Sequence, residues 1–114
     1  VLQKHFMEKL AYSRKLIADG KKAHMRGEDW KEMEHLIDDT DNNFVQKLRQ
    51  QYKGLKEEDV RLCMLVRLKM TNAIIANVFY IGESAVKKRK SVLKKTGFQI
   101  TDPNISLEQV IENL

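Results

Sequence analysis

Between Glu83 and Lys95 the chain sets Lys87, Lys88, Arg89, Lys90, Lys94 and Lys95 against one acid, Glu83. Cations at this density release counterions from phosphates, lysines can reach guanine acceptors, and serine hydroxyls can bond to base or backbone. At about 100° per residue, Ser84, Lys87, Lys88, Ser91, Lys94 and Lys95 share one side of a helix, while Val86, Leu93 and Arg89 share the other. One side suits the groove of double-stranded DNA and the other suits a core. Arg89 then falls on the core side, where a bare charge would cost several kcal/mol, so it is expected to pair with Asp59 or Glu58.

The remaining reactive side chains offer less. His5, His24 and His35 are widely spaced and have no Cys or carboxylate at ligand spacing, so they read as surface residues and no metal is expected. Cys63 lies inside an apolar run and reads as an inert core thiol. Asp38, Asp39 and Asp41 lack the spaced ligands and distal glutamate of a calcium loop and read as a solvated turn. There is no glycine-rich phosphate loop, nucleophile elbow or acid/base pair, so the chain is not expected to be an enzyme or to need a cofactor.

The elements that must position the basic stretch are helical. One Pro and five Gly in 114 residues leave little to interrupt helices, and the class reads as all-α. Leu2, Phe6, Leu10 and Ile17 form a short amphipathic stripe within residues 1 to 26. Trp30, Met33, Leu36 and Ile37 predict a second helix. After a break at Asp38 to Asn43, Phe44, Val45, Leu48 and Tyr52 predict a third, ending at Gly54. Beyond Leu55 the helices become short and closely spaced. Glu57, Glu58 and Asp59 make an acidic first turn, and the run from Val60 to Leu68, apolar except for Arg61 and Arg67, predicts a central buried helix. Thr71 or Asn72 can cap the next helix, which carries Ile74, Ile75, Ala76, Val78 and Phe79 and stops near Tyr80-Ile81-Gly82. The basic helix follows, expected to run to Lys95 with Gly97 ending it, and Ser106 opens a short closing helix with Leu107, Val110, Ile111 and Leu114.

Composition bounds the function. Hydrophobic residues make up 42% and charged residues 32%, which fits a packed domain with a densely charged surface. The formal net charge of +5 favours phosphate-bearing or acidic partners. A single cysteine excludes an internal disulfide, and no apolar run reaches the roughly 18 residues of a membrane span, so a cytoplasmic setting without membrane contact is expected. Because the chain opens at Val1 rather than Met, it is expected to be part of a longer protein, which leaves room for a membrane anchor upstream.

A buried helix, a short second helix, a tight connection containing Gly82 and a basic third helix form the sequence pattern of a helix-turn-helix. Residues 55 to 98, from Leu55-Lys56-Glu57-Glu58-Asp59-Val60-Arg61-Leu62-Cys63 through Thr71-Asn72-Ala73-Ile74-Ile75-Ala76 to Ser84-Ala85-Val86-Lys87-Lys88-Arg89-Lys90 and Gly97-Phe98, resemble the LuxR/GerE-type DNA-binding domain. Trp30 through Leu114 is similar to the version at the C-terminus of Bacteroidetes transcription regulators. The resemblance implies a helical extension of about three helices over 1–53 and a four-helix domain over 54–114 of the winged-helix-like superfamily. In that domain 57–69 would be scaffold, 71–79 the first motif helix, 83–95 the recognition helix and 106–113 a closing helix.

The resemblance also implies sequence-specific binding of double-stranded DNA, with contacts expected from Ser84, Lys87, Lys88, Ser91, Lys94, Lys95, Thr71 and Asn72. It further implies pairing of two copies through the closing helix, with the N-terminal helix as the other candidate surface. Upstream sensory or tetratricopeptide-repeat regions are common in such regulators. Lys56 and Ala73-Ile74 stand where the family usually has a hydroxyl residue and a Lys-Glu pair. That departure motivates the alternative of a degenerate helix-turn-helix serving as a helical interaction module.

Overall fold

Trp30, Met33 and Ile37 recur at three- and four-residue spacing behind two acids that suit a helix N-terminus, and they become the buried stripe of helix α1, Gly27–Thr40. The computed structural model describes residues 27–114. The stripe from Leu2 to Ile17, and His5 and His24 with it, lie outside those residues. Among the described residues the architecture is all-α: α1 is followed by α2 (Phe44–Gln51), α3 (Glu57–Arg67), α4 (Asn72–Phe79), α5 (Glu83–Val92), a π-helical turn (Leu93–Gly97) and α6 (Leu107–Glu112).

The break between α1 and α2 is shorter than the run of polar residues suggests, because Asp38, Asp39 and Thr40 belong to α1. Asn42 and Asn43 turn the chain in the left-handed region, which asparagine tolerates. The carboxylate of Asp38 accepts the N–H of Val45 at 2.7 Å and of Gln46 at 3.4 Å. It thereby caps α2 from the preceding helix, since Asn43 makes no side-chain cap bond.

Helix α3 is the centre of the fold, with Val60, Leu62, Cys63, Met64, Leu65 and Val66 all buried. Its N-terminus keeps half of a capping box: Asp59 accepts the backbone N–H of Lys56 at 3.1 Å, while a lysine at the cap position has no oxygen to return. Burial, followed by the charge of Asp59, pushes the Cys63 thiol up to about 12, so it stays protonated and unreactive at neutral pH.

Two helices leave through left-handed residues that are not glycine. After α3, Lys69 takes φ 59° while the N–H of Met70 donates to Leu65. After α4, Tyr80 takes φ 58° while Ile81 donates to Ala76. Both are Schellman exits. Gly82 is not the stop but the residue that starts α5, with an ordinary φ of −78° and open space where a Cβ would stand. Gly97 is different: a Cβ there would sit 2.7 Å from Leu93 Cδ1 and 2.8 Å from Leu55 Cδ2, so any larger residue would have to push these two leucine methyls aside.

Helices α1 to α6 share one hydrophobic core, reaching from Trp30 through Ile75 and Val86 to Ile111. The residue-53/54 boundary expected from the sequence therefore marks no gap in packing. Trp30 stacks on Phe79 at 5.9 Å, with the Arg61 guanidinium 5.1 Å from the Trp30 ring centre.

Two arginines tie the halves together. Arg67 grips Asp41 with two hydrogen bonds of 2.6 and 3.0 Å, donates to the Ile111 carbonyl at 2.6 Å and lies over Phe44. Arg49 joins Glu34 at 2.7 Å to Glu57, which it meets with two bonds of 2.8 and 2.9 Å and whose carboxyl it holds below its ordinary value.

Candidate nucleic-acid interface

Helix α5 is anchored by the apolar side that the wheel predicts. Val86 is fully buried, and Leu93, at the start of the π turn, is 3% exposed. The opposite side stands open: Ser84, Lys87, Lys88, Ser91 and Lys95 are exposed. These five positions form a continuous outward row in which lysines alternate with small hydroxyls. Lys87, Lys88 and Lys95 have no ion pair among the described residues, and Glu83 is the acid of the helix. A row with three unpaired lysines and one acid near its start carries a surplus of positive charge that favours phosphate.

Lys94 does not belong to that row. It is 8% exposed, and its Nζ donates to the carbonyls of Asp102 at 2.9 Å and Ile105 at 2.8 Å. Its expected role as a DNA contact is corrected to that of an internal strut. Two geometric facts explain the difference. Lys94 is one turn beyond Lys90 on the flank that meets the closing segment. The helix also widens into a π turn at Leu93, where the N–H of Phe98 reaches back five residues to the Leu93 carbonyl at 3.2 Å and Ile100 bonds to the Lys94 carbonyl. The expected α-helix to Lys95 thus ends at Val92 and continues as the π turn.

Lys90, on the same flank, is also turned to internal use. Its Nζ donates to Asn72 Oδ1 and, at 2.6 Å, to Glu108 Oε1. Burial raises the Glu108 carboxyl, but the bonds from Lys90, its own backbone and Ser106 outweigh this and leave it below its ordinary value. Asn72, expected at the DNA, therefore has its side-chain oxygen occupied by this latch. Thr71 is exposed, and its hydroxyl accepts the N–H of Ile74 at 3.3 Å as the cap of α4.

Arg89 corrects a further expectation. It is exposed, and its guanidinium lies 5.7 Å from the Phe79 ring centre rather than against a carboxylate. Asp59 is engaged with the Lys56 backbone instead. Long side chains escape a core by lying along an aromatic face, which a wheel of Cα positions does not show.

Sequence reading missed the latch role of Lys90. Its signal was present in the i, i+4 spacing of Lys90 and Lys94, but nothing local placed the 102–108 segment over them. It also passed over Lys53 and Lys56, both exposed, which stand across a cleft of about 800 Å³ from Lys88. Among the described residues, no group of His, Cys, Asp and Glu side chains is placed to hold a metal ion, and no helix is long and apolar enough to cross a membrane.

Compared with protein-family models, curated proteins and solved structures, the chain matches none.

Proposed function

We propose that this chain binds double-stranded DNA sequence-specifically, with α5 laid in the major groove, as the C-terminal part of a LuxR/GerE-like transcription regulator. The observation that carries the reading is the outward row of Ser84, Lys87, Lys88, Ser91 and Lys95 on a helix fixed from behind by Val86 and Leu93. A helix held this way offers cations for phosphates and hydroxyls for base edges without loss of packing. Support comes also from α4, which packs against α5, and from α3 preceding the pair, the order of elements that a helix-turn-helix requires. Two such units on paired half-sites would read a palindrome.

The test is a mobility-shift titration against mixed and selected duplexes at low and moderate salt. Binding should fall steeply with salt. Lys87→Glu with Lys88→Glu should abolish it while circular dichroism is retained, and undiminished affinity in that variant would contradict the reading.

A second reading, a helical protein-interaction module, draws support from Asn72 and Lys94, whose polar groups are consumed inside the fold. That module would show only weak, sequence-indifferent attraction to DNA in the same titration.

A further inference from the structure

We propose that the cleft between the 52–56 segment and α5 seats one sugar-phosphate strand of the duplex, so that Lys53 and Lys56 form a second contact line separate from the groove-reading row. This inference rests on the DNA reading above and adds a site to it.

The argument is geometric first. The major groove is about 12 Å wide and a helix with its side chains about 10–12 Å across, so the two strands must pass along the flanks of an inserted helix. One flank of α5 is closed by the 102–108 segment through Lys90 and Lys94. The other flank carries Ala85, Val92 and Lys88 and opens into the cleft, whose far wall is Lys53, Gly54, Leu55 and Lys56. Val92, at 49% exposure, is among the most open large apolar side chains of the fold and stands at the mouth of this cleft. A deoxyribose edge gives such a side chain something to lie against, while the lysines on both walls meet the phosphates.

Charge points the same way. The acidic start of α3 would be expected to repel a phosphate, yet Glu57 is taken by the two bonds from Arg49, and one oxygen of Asp59 is turned to the Lys56 N–H. Lys53 and Lys56 have no ion pair among the described residues, and with Lys88 and Arg89 they outnumber Glu58 and Asp59 around the cleft.

The experiment measures the salt dependence of affinity for a mixed-sequence duplex. It compares the full chain, Lys53→Ala/Lys56→Ala, Lys87→Ala/Lys88→Ala, and a control, Lys31→Ala/Lys47→Ala, whose exposed lysines lie on α1 and α2. Thermal melts confirm that each variant folds. The cleft variant should lower the slope of log affinity against log salt by about two, one per lost phosphate contact, with base preference unchanged. The control should leave the slope intact.

An unchanged slope in the cleft variant, while the Lys87/Lys88 variant weakens binding, would overturn this inference and leave the groove-reading helix standing. An equal drop in the control would also overturn it, because net charge alone would then explain the effect. If a poly-glutamate peptide bound and the cleft variant alone lost it, with the DNA slope untouched, the cleft would belong to an acidic protein segment. A full chain with no measurable affinity for duplex DNA would remove the parent reading and this site together.

Discussion

Lys88 and Lys94 belong to one basic stretch and fall on the same side of an ideal helical wheel, yet they lead opposite lives. Lys88 stands in solvent with no carboxylate against it, while Lys94 is buried and spans two backbone carbonyls of the 102–105 turn. The difference teaches that a wheel fixes which residues share a side but not what another part of the chain lays over it. On α5 the closing segment covers the flank of Lys90 and Lys94, and the row from Ser84 to Lys95 is what remains open. A cation count over the stretch mixes lysines engaged inside the fold with exposed ones.

Substitutions can sharpen or break that contrast. The largest effect on stability is expected from Lys94→Ala, which takes the lysine donor from the Ile105 carbonyl, leaves the Asp102 carbonyl with only the Ile105 N–H, and removes a buried stem, at a cost of about 2 kcal/mol in chemical denaturation. A variant as stable as the parent would dissolve the distinction between the two lysines.

Lys90→Ala should cost less, about 1 kcal/mol, because its partner Glu108 is half exposed and solvent screens the pair. It also carries a pH signature. The Glu108 carboxyl is held below its ordinary value of 4.5 in the folded protein. The pair's contribution is therefore complete above that value and disappears as pH falls through the depressed one. Melts below pH 4.5 should separate parent from variant progressively less, and a gap that widened with acid would contradict the latch.

Lys69 gives a third environment, a lysine whose backbone rather than its charge matters. Lys69→Gly frees a left-handed residue and should stabilise the fold by about 0.5–1 kcal/mol, seen as a higher melting temperature. Lys88→Ala closes the series with no shift beyond about 0.5 kcal/mol, as for an ordinary surface site.

Much of the frame was legible in the residues themselves. The apolar spacing in Trp30-Met33-Ile37 and in Val60 to Val66, the cap at Thr71 and the pair Val86 and Leu93 each report a local period that tertiary packing then respects. What escaped depends on distant chain or on backbone state. The cap that Asp38 supplies to α2, the left-handed exits at Lys69 and Tyr80, and the π turn at Leu93 have no strong local signature. The exposure of the candidate residues was half legible for the same reason. Ser84, Lys87, Lys88, Ser91 and Lys95 needed only a period, whereas Lys94, Asn72 and Arg89 were decided by the neighbours that reach them.

The central claim is that the outward row of α5 is free to meet a duplex while the inward lysines are not. Its most direct test is an NMR titration of the isotopically labelled chain with duplex DNA, following backbone amides and lysine side-chain signals. The account predicts that resonances of Ser84, Lys87, Lys88, Ser91 and Lys95 move first and furthest, with the side chains of Lys90 and Lys94 nearly still. Shifts centred on other helices, or a response from Lys94 as large as that of Lys88, would contradict it.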